Sequence, residues 1–177
     1  MEELIDVLDE NGYKTGEIFT RKKIHELGLW HKIIVVSIID KNGNLLMQQR
    51  SYSKENNPGE WDTSVAGHVS SGQTSIEAAI REISEELGIQ LLETDLQYLF
   101  TYKDDITVNK NYLDKQIYDC YIVNLDSIDI NSIKIQESEV HSVKLCDVDE
   151  FKRIVSSNNI VDRPELFEKL INYINKK

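Results

Sequence analysis

One short segment constrains the fold of this chain more than any other. From Lys32 to Asp40 the sequence reads KIIVVSIID, an almost unbroken β-branched run. Branched side chains are stiff at χ1 and pack well on a pleated surface. With so little polar alternation, the run reads as a strand buried on both faces. Lys41-Asn42-Gly43-Asn44 then turns the chain into LLMQQR, a second strand over 45–50. Upstream, Asn11-Gly12 lies between segments 3–8 and 13–20 and signals a hairpin. Segments 61–69, 96–103, 115–125 and 140–146 also read as strands, the first ending near Gly67-His68. The polar stretch 51–60, with Asn56-Asn57-Pro58-Gly59, reads as a loop.

Helical periodicity is strongest over 73–87. Ile76, Ala79, Ile80, Ile83 and Leu87 form one apolar stripe. Ser71 or Thr74 is placed to cap the start, and Gly88 to close the end. Segments 148–156 and 163–175 read as helices, the latter with Pro164 in its first turn. Strands, a helix, strands and then helices predict an α+β or α/β sandwich with a mixed sheet. The 177 residues contain no repeat and no Pro/Ser-rich linker, so a single domain spans 1–177. It carries an N-terminal β-hairpin at about 3–20 and a C-terminal helix at about 163–175.

Charge narrows the partners. The net charge is −11, which repels nucleic acid and anionic membranes, so neither is expected. It repels a phosphorylated ligand too, unless metal ions or a few placed Arg and Lys residues offset it. No apolar stretch approaches the length of a membrane span, and the start MEELIDVLDENG does not read as a signal peptide. Cys120 and Cys146 lack CxxC spacing and read as free thiols in a reducing cytoplasm, the expected location.

The chemistry concentrates in 67–89, GHVSSGQTSIEAAIREISEELGI. Glu82 and Glu86 are four apart on one flank of the helix, and Glu85 lies further round. Like charges at this spacing repel. Arg81 is placed to pair with Glu77 or Glu85 but cannot neutralise them all. A divalent cation resolves the conflict, and all-oxygen ligands suit Mg²⁺ or Mn²⁺. Most glutamate clusters on helices are simply solvated faces. Two features weigh against that here: Glu86 borders the apolar stripe, and the helix follows a Gly-containing loop.

This segment resembles the signature of the Nudix family: Gly, five residues, Glu, seven residues, Arg-Glu, an apolar residue, any residue, Glu-Glu, any residue, Gly, an apolar residue. Gly67, Arg81-Glu82-Ile83, Glu85-Glu86 and Gly88-Ile89 match in register, eight of the nine specified positions, with Gln73 standing where the family has Glu. Gln48-Gln49-Arg50-Ser51-Tyr52-Ser53-Lys54, Pro58-Gly59-Glu60-Trp61 and Ser64-Val65-Ala66-Gly67-His68 are similar to the subgroup related to isopentenyl-diphosphate isomerase.

The resemblance implies a Nudix-like α/β/α sandwich and a hydrolase that cleaves a diphosphate linkage. Its substrate would be a small-molecule diphosphate, such as a nucleoside diphosphate derivative. Mg²⁺ (or Mn²⁺) would be held by the Gly67 carbonyl with Glu82, Glu85 and Glu86, with Arg81 beside them in the catalytic set. Arg50 and Lys54 would grip the diphosphate, and His68 would contact the substrate. The first is a bidentate clamp by its chemistry and the second a point charge. The base is a box glutamate or a loop acid, Glu137 or Glu139. A homodimer stays open.

Two alternatives compete. The isomerase needs a thiol where this chain has Ala66 and a carboxylate where it has Gln116, so that chemistry reads as lost. Of its metal-binding histidines, His31 and His68 match while His25 is offset by one residue. His141 reads as an ordinary residue. The other alternative, a non-catalytic Nudix-like binding module, draws support from Gln73.

Overall fold

The computed structural model describes residues 2–109 and 112–176. In chain order the elements begin with a hairpin, β1 (Leu4–Leu8) and β2 (Lys14–Thr20), paired antiparallel. Asp9 shapes its turn: Oδ1 accepts from the amides of Asn11 at 2.8 Å and Tyr13 at 2.9 Å. A short helix follows, α1 (Arg21–Leu27), capped by Thr20 and closed by Gly28 in the left-handed region. Sequence periodicity missed it, because seven residues are too few to display a stripe.

The sheet then builds outward from β3 (His31–Asp40), every residue of which is buried except the half-buried Lys32. Next come β4 (Leu45–Arg50), β5 (Trp61–Asp62) and β6 (Val65–His68). The strand expected over 61–69 is broken between the last two by a buried polar corner. There the Ser64 hydroxyl donates to the Leu46 carbonyl at 2.5 Å and accepts from the Ile38 amide at 2.8 Å. After the helix α2 (Ser75–Leu87), the hairpin β7 (Leu96–Asn109) and β8 (Tyr112–Leu125) runs longer than 96–103 and 115–125 suggest. The chain ends with β9 (Val140–Cys146), α3 (Val148–Ser156) and α4 (Pro164–Ile174).

The order in the main sheet is β5-β4-β3-β8-β7, with β6 on β3 and β9 on β4. Only β3 and β8 run parallel among the named pairs, so the sheet is mixed. One core lies between the sheet and α2, where Ala79, Ile83 and Leu87 meet Ile34, Val36 and Ile38. A second lies between the opposite face and α3 and α4, where Phe151, Phe167 and Leu170 meet Ile39, Leu45 and Met47. Each large apolar side chain so buried contributes about 2 kcal/mol. The result is an α/β/α sandwich. Among the described residues no helix is long and apolar enough to cross a membrane.

Thr74 caps α2, not Ser71. Its side chain accepts from the Glu77 amide, while the Glu77 carboxylate accepts from the Thr74 amide at 2.8 Å, a reciprocal capping box. Gln73 therefore precedes the helix and is free to reach across it.

Candidate active site

A cleft of about 1150 Å³ is lined by β4, β6, the outward edge of α2, β8 and loops near 54–60 and 158–164. Gly67 permits one tight approach in it. A Cβ there would sit 2.4 Å from the Glu82 carboxyl, so only glycine lets α2 bring this carboxylate against β6. Arg81 braces the arrangement. Its Nη2 lies 2.9 Å from Glu82 and donates to the His68 carbonyl at 3.1 Å, while Nη1 donates to Glu85 at 3.1 Å. Gln73 Oε1 accepts from Arg81 Nε at 3.4 Å, so the amide still contacts the arginine without the family's charge. Glu77, the other partner considered for Arg81, is engaged in the capping box instead.

The box carboxylates differ in environment. Glu86 is buried and accepts from Gln48 Nε2 at 3.2 Å. Burial pushes its carboxyl up to about 8, with Glu82 and Glu139 adding to the shift. Burial likewise raises Glu82 to about 7, partly offset by Arg81 and reinforced by Glu3 and Glu85. Glu85 stands at the cleft's edge with its side chain 54% exposed. Two largely desolvated carboxylates that repel one another, half-buried Glu82 and buried Glu86, with the Gly67 backbone alongside, form a hard, oxygen-only donor set that fits Mg²⁺ or Mn²⁺. A bound cation would relieve the crowding that now favours protonation.

Arg50 lines the cleft and is held by donating from Nε and Nη2 to the Asn56 carbonyl, at 3.3 Å and 3.0 Å. Lys54 also lines it, ion-paired with Glu139. Of the two loop acids, Glu139 faces the cleft, whereas Glu137 is exposed and does not line it.

A second cluster adjoins this one. His25 from α1, His31 at the start of β3 and His68 at the end of β6 offer ring nitrogens all within 4.8 Å of one another. The register offset of His25 does not survive folding: the unforeseen helix α1 carries it into the group. His25 Nδ1 lies 2.7 Å from the Arg21 carbonyl and His31 Nδ1 3.0 Å from the Leu29 carbonyl, which assigns the proton to Nδ1 and leaves Nε2 as acceptor. All three Nε2 atoms are buried without hydrogen-bond partners among the described residues. Asp114 Oδ1 stands 3.3 Å from His25 Nε2 and 3.8 Å from His31 Nε2. Burial lowers His31 to about 4 and holds His68 well below the usual imidazole range, so both rings are neutral.

Ala66 and Gln116 both line the cleft, and Gln116 Oε1 accepts the Tyr118 hydroxyl. Sequence reasoning missed several other lining groups: Glu3, Arg21, Gln48, Asp114 and Arg163. Gln48 stands beside Arg50 in the quoted motif but carried no role there, and the other four come from distant parts of the chain.

The family model for the NUDIX domain matches residues 29–167. A Nudix hydrolase of Clostridium acetobutylicum, described as uncharacterized, is 32% identical over 88% of this chain and 75% of its own length. Nudix hydrolase 3 of Arabidopsis thaliana is 34% identical over 89% of this chain, which spans only 21% of that longer protein. An isopentenyl-diphosphate Delta-isomerase of Serratia proteamaculans is 33% identical over a shorter stretch, 58% of this chain and 56% of that one. In fold, a crystal structure of a Deinococcus radiodurans protein superposes with a TM-score of 0.74 at 20% identity, covering 97% of this chain and 99% of the other. The signature on α2, the sandwich that presents it and these matches place the chain in the Nudix hydrolase family.

Proposed function

We propose that the chain hydrolyses a diphosphate linkage in a small anionic metabolite, a nucleoside diphosphate derivative being the favoured class, with Mg²⁺ or Mn²⁺ as cofactor. The observation that carries this reading is the crowded pair of carboxylates, half-buried Glu82 and buried Glu86, in one cleft with the cationic groups of Arg50 and Lys54. The acids suit a divalent cation, and the cations suit a diphosphate. The free, buried thiols Cys120 and Cys146 accord with a cytoplasmic setting.

Glu82, Glu86, Glu85 and the Gly67 carbonyl would hold the cation. Bound there, it supplies charge neutralisation for the phosphates and acidifies a water. Arg50, anchored on Asn56, clamps a phosphate with its remaining donors. Arg81 touches no phosphate in this scheme; it positions Glu82 and Glu85, braced on the His68 carbonyl and Gln73. Glu139, ion-paired with Lys54 at the cleft wall, takes the proton from the attacking water. Phosphate release from a panel of nucleoside diphosphates, dinucleotides and isoprenyl diphosphates is expected with Mg²⁺ and abolished by EDTA. Glu86→Gln should lower turnover by about a hundredfold or more, as losing one charge-stabilising group does, while the far-ultraviolet spectrum stays native. Full activity of that variant would remove this site from consideration.

A second reading, isomerisation of an isoprenyl diphosphate, is favoured by one observation, the His25/His31/His68 cluster with Asp114 beside it. Against it, Ala66 offers no proton and Gln116 cannot ionise. Incubation with isopentenyl diphosphate in D₂O is expected to give no deuterium at carbon. Incorporation at an enzymatic rate would replace the hydrolase reading with this one.

A further inference from the structure

The cleft continues past the carboxylates to an end built by other elements. There Arg163, just ahead of α4 and only 6% exposed, donates from Nη1 to the fully buried Asp62 of β5. Its guanidinium carbon lies 5.8 Å over the ring of Tyr118 on β8. Tyr118 and His68 pair with the same residue, Ile33, from opposite sides. Two strand spacings, about 10 Å, therefore separate this end from the Gly67 corner. A diphosphate held at that corner would leave the group attached to it here.

Desolvation makes a buried ion pair costly unless its remaining donors and acceptors are satisfied. Here they are not. Arg163 Nε, Asp62 Oδ2 and the hydroxyl of Tyr102, whose ring stacks on Tyr118 at 4.6 Å, are buried with no partner among the described residues. Nor does the Arg163 side chain cap α4. A ligand that offers Arg163 an acceptor would complete the hydrogen bonding of the pair.

Charge then selects the ligand. Asp62 already neutralises Arg163, and Asp104 and Asp162 line the same end, so it is net negative and repels a second phosphate. A plain hydrocarbon would cover the pair and leave its free polar atoms unpaired. A neutral group bearing hydroxyl, amino or carbonyl functions offers Arg163 an acceptor while lying against the ring of Tyr118, both of which line the cleft.

We propose that Arg163 and Tyr118, with the buried Asp62 fixing the guanidinium, form a specificity subsite for the organic half of the substrate. It takes a neutral, hydrogen-bonding group such as a nucleoside and discriminates against a second phosphate or an isoprenyl chain. The proposal rests on the hydrolase reading for the position of the diphosphate, but its test reads binding rather than turnover. Calorimetric titration of the full chain in Mg²⁺ compares methylenediphosphonate, α,β-methylene-ADP and isopentenyl diphosphate.

The nucleoside ligand is expected to bind wild type more tightly than the bare diphosphonate, and isopentenyl diphosphate to show no such gain. In Arg163→Lys, which keeps a cation beside Asp62 but loses the fork, the nucleoside advantage should fall by about tenfold. Affinity for methylenediphosphonate should hold. Should the variant fail to fold, the wild-type comparison still decides. Isopentenyl diphosphate binding as tightly as α,β-methylene-ADP overturns the subsite, as does an advantage unchanged in Arg163→Lys. Binding of methylenediphosphonate without a nucleoside gain fails the subsite alone, whereas no binding of it at all fails the underlying hydrolase reading and the subsite together.

Discussion

Arg50 shows how one side chain is prepared for a role before any ligand arrives. Nε and Nη2 are spent on the Asn56 carbonyl, which fixes the guanidinium plane at the cleft wall and leaves the other donors for phosphate. A group so placed grips ground and transition states alike, so its loss should appear mainly in KM. Arg50→Ala is expected to raise KM by about tenfold or more, the worth of a charge-assisted hydrogen bond, with kcat changed far less. Steady-state kinetics on the best diphosphate substrate checks this, and a fall in kcat at constant KM would assign Arg50 a different part. Gly67 belongs to the same scale. It is required by the approach of Glu82, not by its own backbone angles.

Among the elements, α2 carries the signature and depends on its first turn. Thr74 and Glu77 satisfy each other's amides there. Thr74→Ala should cost about 1 kcal/mol and lower the melting temperature by about 2–4 °C, leaving the fold intact. An unchanged melt would show that packing against the sheet alone holds this end. The β3–β4 turn makes a pH-dependent contribution. Asp40 accepts from the amides of Asn42 and Asn44 and from the Asn44 side chain, at 2.8, 2.9 and 2.8 Å. Burial acts to raise its carboxyl, but these bonds outweigh it and hold it below the usual range. A lowered native value means stability present above the unfolded carboxylate value, near 4, and lost as pH falls through the native one. Asp40→Ala should therefore cost about 1–3 kcal/mol in urea unfolding at pH 7, and the gap should narrow below about pH 4. A gap independent of pH would mean that the side chain acts through packing.

At the level of the whole molecule, long-range repulsion and a few local cationic contacts both act on an anionic substrate. The chain carries a net charge of −11, while Arg21, Arg50, Lys54 and Arg81 line the cleft. Bulk repulsion acts over long range and is screened by salt, whereas contacts inside the cleft are screened much less. Raising ionic strength from about 0.01 M to about 0.15 M shortens the screening length from about 30 Å to about 8 Å. A rise in kcat/KM over that range is expected for a diphosphate substrate. A steep fall would show that the cleft's own cations dominate the approach.

Local spacing determined much of this protein. The run from Lys32 to Asp40 predicts a strand buried on both faces, and β3 is that strand, because apolarity on both sides leaves a chain no solvated face. The helical interval placed Glu82 and Glu86 on one flank, and the register of Gly67 with the Arg81–Ile89 segment pointed to the family. Such signals are carried within one element, where a fixed rise per residue converts sequence distance into spatial distance. What joins distant elements was not legible. Lys54 meets Glu139 because β9 pairs with β4, and Arg163 reaches Asp62 because residues 159–161 pair with Trp61 of β5, partners separated by 85 and 101 residues. His25 is offset by one residue from the isomerase pattern, yet the seven-residue helix α1, too short to be seen in the sequence, brings it beside His31 and His68. Closing such long loops depends on burying both sheet faces at once, so these pairings were decided only when the sandwich packed.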